Sequence, residues 1–202
     1  MAIKFQYNKT SLGELGKQLK MRQRALPTIK SKESALRVEV SAAKDKAEGY
    51  QTRMNELIAK YDYMSSLWGE FESDLLVVKD VVLGVNKIAG VKIPALQEVV
   101  FEQRPYDLFS SPAWYADGVE VLKEIARLGI EFAVFMRRTE LLDHARKKTT
   151  QKVNLYEKVQ IPGYEDAIRK IKRFLEDEEN LSKSAQKIVK TKHEQTKPTE
   201  EL

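Results

Sequence analysis

Cysteine is absent from the 202 residues and histidine occurs only twice. Without thiols the chain has neither disulfides nor thiolate metal ligands. His144 and His193 are too far apart in sequence, with no cysteine to join them, to suggest a zinc site; His144 reads as a solvated residue on a charged helical face. Chain breakers are scarce, at nine glycines and six prolines. No apolar run approaches the roughly 18 residues that span a bilayer, and the longest, over 75–83, is broken by Lys79 and Asp80. Residues 1–8 lack the apolar core of a secretory signal. The expectation is a soluble chain that reaches a membrane only through a partner. Nucleotide motifs are missing too: Gly13-Glu14-Leu15-Gly16-Lys17 is too short for a phosphate loop, and there is no Gly-x-Gly-x-x-Gly. No catalytic, cofactor-binding or metal site is expected, and the chain is expected not to be an enzyme.

What is present is charge and period. Charged residues make up 32% and apolar residues 42%, a balance that suits long helices with solvated outer faces. Stepping alternately by three and four from Leu12 to Leu75 visits 19 positions, of which 17 are apolar; Arg22 and Glu33 are the exceptions. A 3.5-residue repeat sustained this long is the seam of a left-handed coiled coil. Ser11 with Glu14 has capping-box spacing and predicts the helix start near residue 10 or 11. Pro27 lies inside the pattern, where it kinks a helix without ending it. Polar seam residues such as Arg22 and Glu33 either set register or meet a partner.

A second seam follows Pro112 through Val121, Ile125, Leu128, Phe132, Phe135, Leu142 and Val153. Beyond Pro162 it resumes one residue out of phase at Tyr164, Ile168, Ile171 and Leu175, which predicts a kink at Pro162 and Gly163. Between the helices, β-branched and aromatic residues punctuated by Gly90 and Pro94 predict a short β-hairpin capping the far end of the helix pair. Pro105, Ser110, Ser111 and Pro112 form the returning loop. The predicted fold is all-α dominated: a long antiparallel two-helix coiled coil with a short central β-hairpin and connecting loop. It is read as one elongated domain, with helices over about 10–77 and 113–192, hairpin and loop over 78–112, and a flexible tail over 193–202. Antiparallel pairing of helices with these ends sets Pro27 opposite Pro162.

Charge is segregated. Residues 8–40 carry eight basic and three acidic side chains, and residues 144–173 carry nine and three. The net charge is +5, so the remainder is acidic. Antiparallel pairing brings the two basic arms side by side. Each cation alone can simply solvate its helix, but the segregation as a whole points to an acidic surface, either nucleic acid or an acidic protein sleeve. The arms hold few aromatics, Tyr156, Tyr164 and Phe174 in the later one, and no DNA-reading motif.

The stretch Thr150-Gln151-Lys152-Val153-Asn154-Leu155-Tyr156-Glu157-Lys158-Val159-Gln160-Ile161-Pro162 resembles the C-terminal signature of the D subunit family of V-type and A-type ATPases. Val153, Asn154, Glu157, Val159, Ile161 and Pro162 match it; Lys152 replaces Arg, and Leu155 and Tyr156 replace Ala and Leu. Glu176 to Glu179 supply the acidic stretch that follows. Residues 26–36 resemble the family's N-terminal motif through Lys30, Lys32 and Leu36, with Glu33 in place of Arg, and Ala89-Gly90-Val91-Lys92-Ile93-Pro94 is similar to its central motif.

The resemblance implies a central rotor stalk that transmits torque between a catalytic hexamer and a membrane ring translocating protons or sodium ions, in ATP hydrolysis or synthesis. The chain's two ends would insert into the hexamer of alternating A and B subunits. The F subunit would bind the stalk, and a funnel-like subunit of the d/C type would seat it above the ring. Such a complex is peripheral on the cytoplasmic face of its membrane. The hexamer contacts expected on this reading are Arg22, Arg24, Lys30, Lys32, Lys147, Lys148 and Lys152, with no cofactor, no nucleic acid and no direct membrane insertion. A coiled-coil tether explains the heptads without the charge, and a basic nucleic-acid binder explains the charge without the hairpin.

Overall fold

The computed structural model describes residues 3–72, 74–107 and 111–195. Helix α1 spans Lys9–Lys60 and is followed by 3-10 turns at Asp62–Met64 and Leu67–Glu70. Strands β1 (Leu76–Ile88) and β2 (Val91–Gln103) come next, then helix α2 (Tyr115–Asn154), a π-turn (Leu155–Gln160) and helix α3 (Ile161–Gln195). The described part of the predicted tail, residues 193–195, is helical; the rest of it, and Ser110 of the predicted return loop, lie outside the described residues. The chain forms two compact units, Met1–Lys30 with Thr150–Leu202, and Ser31–Thr149.

In the unit formed by the chain ends, α1 starts at Lys9, slightly before the capping-box expectation. Asn8 is the cap: its side-chain carbonyl accepts the Ser11 N–H at 2.7 Å. Leu15, Ala167 and Ile171 form the core, joined by Leu12, Tyr164, Ile168 and Leu175 from the two seams and by Ile3 and Phe5 from the segment before α1. Pairing is antiparallel. Gln23 contacts Glu165 and Lys30 contacts Glu157, and both prolines fall between these two contacts, so Pro27 and Pro162 share one level as predicted. Helix α1 continues through Pro27. The sequence predicts a kink at Pro162 and Gly163, but α3 runs through both, and the irregularity lies just before them, in the π-turn. In the π-turn the Ile161 N–H bonds to the Tyr156 carbonyl, five residues back, which accommodates one residue beyond the α-helical count. That single residue is the phase slip between the two halves of the second seam.

In the other unit, Leu36, Ala43, Ile93 and Leu142 are buried together. Tyr50 stacks on Phe135 with ring centroids 5.4 Å apart. The first helix ends at Lys60, well short of the predicted 77. The seam residues beyond it serve elsewhere: Trp68 and Phe71 pack against Trp114, and Leu75 is buried with Tyr115 and Val119. The Tyr115 hydroxyl donates to the Glu70 carbonyl at 2.7 Å, and Arg104 pairs with Glu72 and Asp74.

The central antiparallel hairpin is present as predicted, but it is not a terminal cap. Each strand has 13 residues, about 43 Å at 3.3 Å per residue. The strands pair from Leu76↔Gln103 to Ile88↔Val91, with bulges near Val78 and Val82. The connecting Ala89 and Gly90 have φ of 47° and 82°, the positive values that a two-residue mirror-image turn requires. Near that turn, Ile88, Ala89 and Val91 pack on the Leu36–Leu142 core. Farther along, Phe101 lies 5.8 Å from the Arg127 guanidinium. The hairpin therefore lies back along the helices, because β2 has an apolar face, Ile93 above all, that solvent would otherwise meet.

Candidate functional site

Cations are the functional side chains that the sequence singles out, and the structure sorts them by what they already hold. Arg22 is half-buried and turned inward. Its Nε–H donates to Gln160 Oε1 at 2.6 Å and its Nη1 to Gln18 Oε1 at 2.6 Å. The guanidinium also sits 4.7 Å from the Tyr164 ring centroid and 5.8 Å from that of Tyr156. A planar donor set satisfied on several sides is a register residue of the helix pair. Lys30 Nζ lies 2.6 Å from Glu157 Oε1, and Lys152 Nζ stands 5.9 Å from the Tyr156 ring. Arg22, Lys30 and Lys152 thus converge on the π-turn. Glu33, the other polar seam residue, accepts from Arg37 one turn along at 2.8 Å.

Lys147 is 2.9 Å from Asp143, which also accepts from Arg146 at 2.7 Å. Hydrogen bonds from Lys147 and Arg146 hold the Asp143 carboxyl below its usual value. Asp166 is likewise lowered, chiefly by its hydrogen bond from Lys170. Arg24, Lys32 and Lys148 are exposed and have no ion pair among the described residues. The seven predicted residues divide between the units, Arg22, Arg24, Lys30 and Lys152 in one and Lys32, Lys147 and Lys148 in the other.

The predicted set omits Lys17 and Lys20. With Arg24 and the exposed Met21 they line one shallow groove on α1, and like Arg24 they carry no ion pair among the described residues. Spacings of three and four put Lys17, Lys20 and Arg24 on one helical face, a signal that was legible in the sequence. These side chains can attract carboxylates or other anionic groups.

Among the described residues no group of three or more His, Asp or Glu side chains is placed to hold a metal ion. No helix there is long and apolar enough to cross a membrane. A family profile for the ATP synthase D subunit matches residues 11–191. The V-type ATP synthase D subunit of Borreliella burgdorferi is 31% identical over 191 residues, covering 93% of this chain and 94% of that protein. The protein of the same name from Chlamydia muridarum is 32% identical over 182 residues, 85% of this chain and 87% of its own length. That of Chlamydia trachomatis is 30% identical over 207 residues, covering 98% and 100%. With the match running through both helices and the hairpin, the chain belongs to the ATP synthase D subunit family.

Proposed function

We propose that this chain is the central rotor stalk of a V-type or A-type ATPase. On this reading it transmits torque between the catalytic hexamer and the membrane ring that translocates protons or sodium ions. It is a non-catalytic component of the complex that hydrolyses or synthesises ATP. The observation that carries the reading is family membership over nearly the whole chain. Two features support it. Helices of 52 and 40 residues are stiff elements suited to carrying torque, and the unpaired cations of α1 suit a sleeve lined with carboxylates. Diffuse charge lets a shaft turn past successive equivalent positions, where interlocked side chains would hold it fast. The unit made of the chain ends enters the hexamer of alternating A and B subunits. The F subunit binds the stalk, a funnel-like subunit of the d/C type seats it, and the complex is peripheral on the inner face of its membrane.

A direct test attaches a bead to this chain in a complex whose A and B subunits are immobilised. Adding ATP and Mg²⁺ is expected to drive unidirectional rotation of the bead. A bead that stays still while the same complex hydrolyses ATP would show that the chain is a fixed scaffold.

A further inference from the structure

Helix α1 has no buried side chain between Leu15 and Leu36, and the second helical run has none between Leu142 and Ala167. Within the unit of the chain ends, fully buried apolar side chains therefore stop while both helices continue, and Leu26, Ile29, Tyr156 and Ile161 are only half-buried. The interrupted stretch holds Pro27 on α1 and the π-turn followed by Pro162 on the facing run. Each proline removes one donor from its helical ladder. The π-turn departs from the α-helical bond pattern again, with the five-residue bond from Ile161 to Tyr156.

Polar contacts supplement this half-buried seam. Arg22 spans to Gln160 and lies against Tyr156 and Tyr164. Lys30 pairs with Glu157, and these two side chains are 47% and 45% exposed. An ion pair so exposed restrains a helix far less than a buried leucine does.

We propose that this level, Arg22 to Lys30 against Asn154 to Glu165, is a joint in the helix pair latched by Arg22 and Lys30. The π-turn carries one residue more than α-helical geometry needs, and that residue can be passed to either neighbouring turn. Each step turns the intervening side chains by about 100°, one residue's share of a 3.6-residue turn. Partners facing α1 are exchanged while the Leu15–Ala167–Ile171 core stays closed. Mobility of this kind belongs where buried apolar contacts are few and backbone bonds are missing. The joint rests on the geometry of this unit alone and stands apart from the rotor reading.

Amide hydrogen exchange on the intact chain tests it. Residues 154–164 are expected to exchange about tenfold or more faster than residues 167–175. Arg22→Met keeps apolar bulk but loses the latch donors. It should speed exchange over 154–164 by about threefold or more and leave 167–175 unchanged. Deleting Val159 removes the extra residue and should slow 154–164 to the rate of its flanks. Equal exchange of 154–164 and 167–175 in the unaltered chain overturns the joint. So does an Arg22→Met effect spread evenly along α3, or a folded Val159 deletion that still exchanges fast. If the deletion variant does not fold, the first two measurements decide.

Discussion

Gly118 and Gly129 lie in the same helix, yet a methyl group added at each meets opposite surroundings. At Gly118 it would sit 2.9 Å and 3.1 Å from two atoms of the Trp114 ring and 3.5 Å from Trp68. That ring has little room to retreat, since Trp114 is packed edge-on against Trp68 and Tyr115, with centroids 5.5 and 5.0 Å away. At Gly129 the nearest neighbour is the Met54 sulfur at 3.7 Å, an ordinary contact with a flexible chain. Gly118→Ala is therefore expected to lower unfolding free energy by about 1–3 kcal/mol through overpacking. Gly129→Ala should raise it by up to about 1 kcal/mol, because alanine gives up less backbone freedom in a helix. Urea titrations of the two variants check the opposite signs; a neutral Gly118→Ala would mean that the aromatic cluster can repack. Arg22 stands at a seam position among basic neighbours, and nothing near it in sequence says whether it faces inward or out. Its partner Gln160 is 138 residues away, so its role became legible only once the helices were paired.

At the scale of elements, the heptad count located both helices and brought their prolines to one level, because an apolar seam records which side of a helix is covered. It overran at Lys60. Tyr61, Met64, Trp68, Phe71 and Leu75 satisfy the spacing, but a count of apolar residues cannot separate a seam from an aromatic cluster folded around short turns. Local composition held the missing information: Ser65, Ser66 and Gly69 sit among the aromatics, and all three are weaker helix formers than alanine. The one-residue phase slip reads as a kink at Pro162 and Gly163; its source is the extra residue of the π-turn just before them. The hairpin was readable from its β-branched residues and Gly90, but its docking was not, because a strand pattern does not say which surface it covers. Docking gives Ile93 a large share in stability. It is 1% exposed and buried with Leu36 and Leu142, so Ile93→Ala is expected to destabilise by about 2–5 kcal/mol. Chemical denaturation followed by circular dichroism measures this. A loss below about 1 kcal/mol would mean that the hairpin contributes little to the helical core it covers.

For the whole molecule, the decisive quantity is charge that the fold leaves unspent. Much of the basic excess is used internally, by Arg22 on Gln160, Lys30 on Glu157, and Arg146 with Lys147 on Asp143. Lys17, Lys20, Arg24 and Lys148 are among those that remain available, with no ion pair among the described residues. If the proposed hexamer contact is electrostatic, these four should carry more of it than the engaged cations do. At about 0.4 kcal/mol for each exposed pair, replacing all four by Gln removes roughly 1.5 kcal/mol, or about tenfold in Kd. Each single replacement should be nearly silent. Salt screens exposed charges over about 8 Å at physiological ionic strength, so the tenfold gap should shrink as salt is raised. Gln at Glu56, Asp62, Glu98 and Glu124, all exposed, changes charge equally in number on the acidic part of the chain and should leave the affinity unaltered. The measurement is the affinity of each variant for a reconstituted A/B hexamer at low and high salt. Should the four-cation variant bind like the parent chain at every salt concentration, charge does not hold the contact. Exposed apolar positions such as Met21 on α1 and Leu181, Ile188 and Val189 on α3 would then be left to do so, and their replacement by Ser should weaken binding without any dependence on salt.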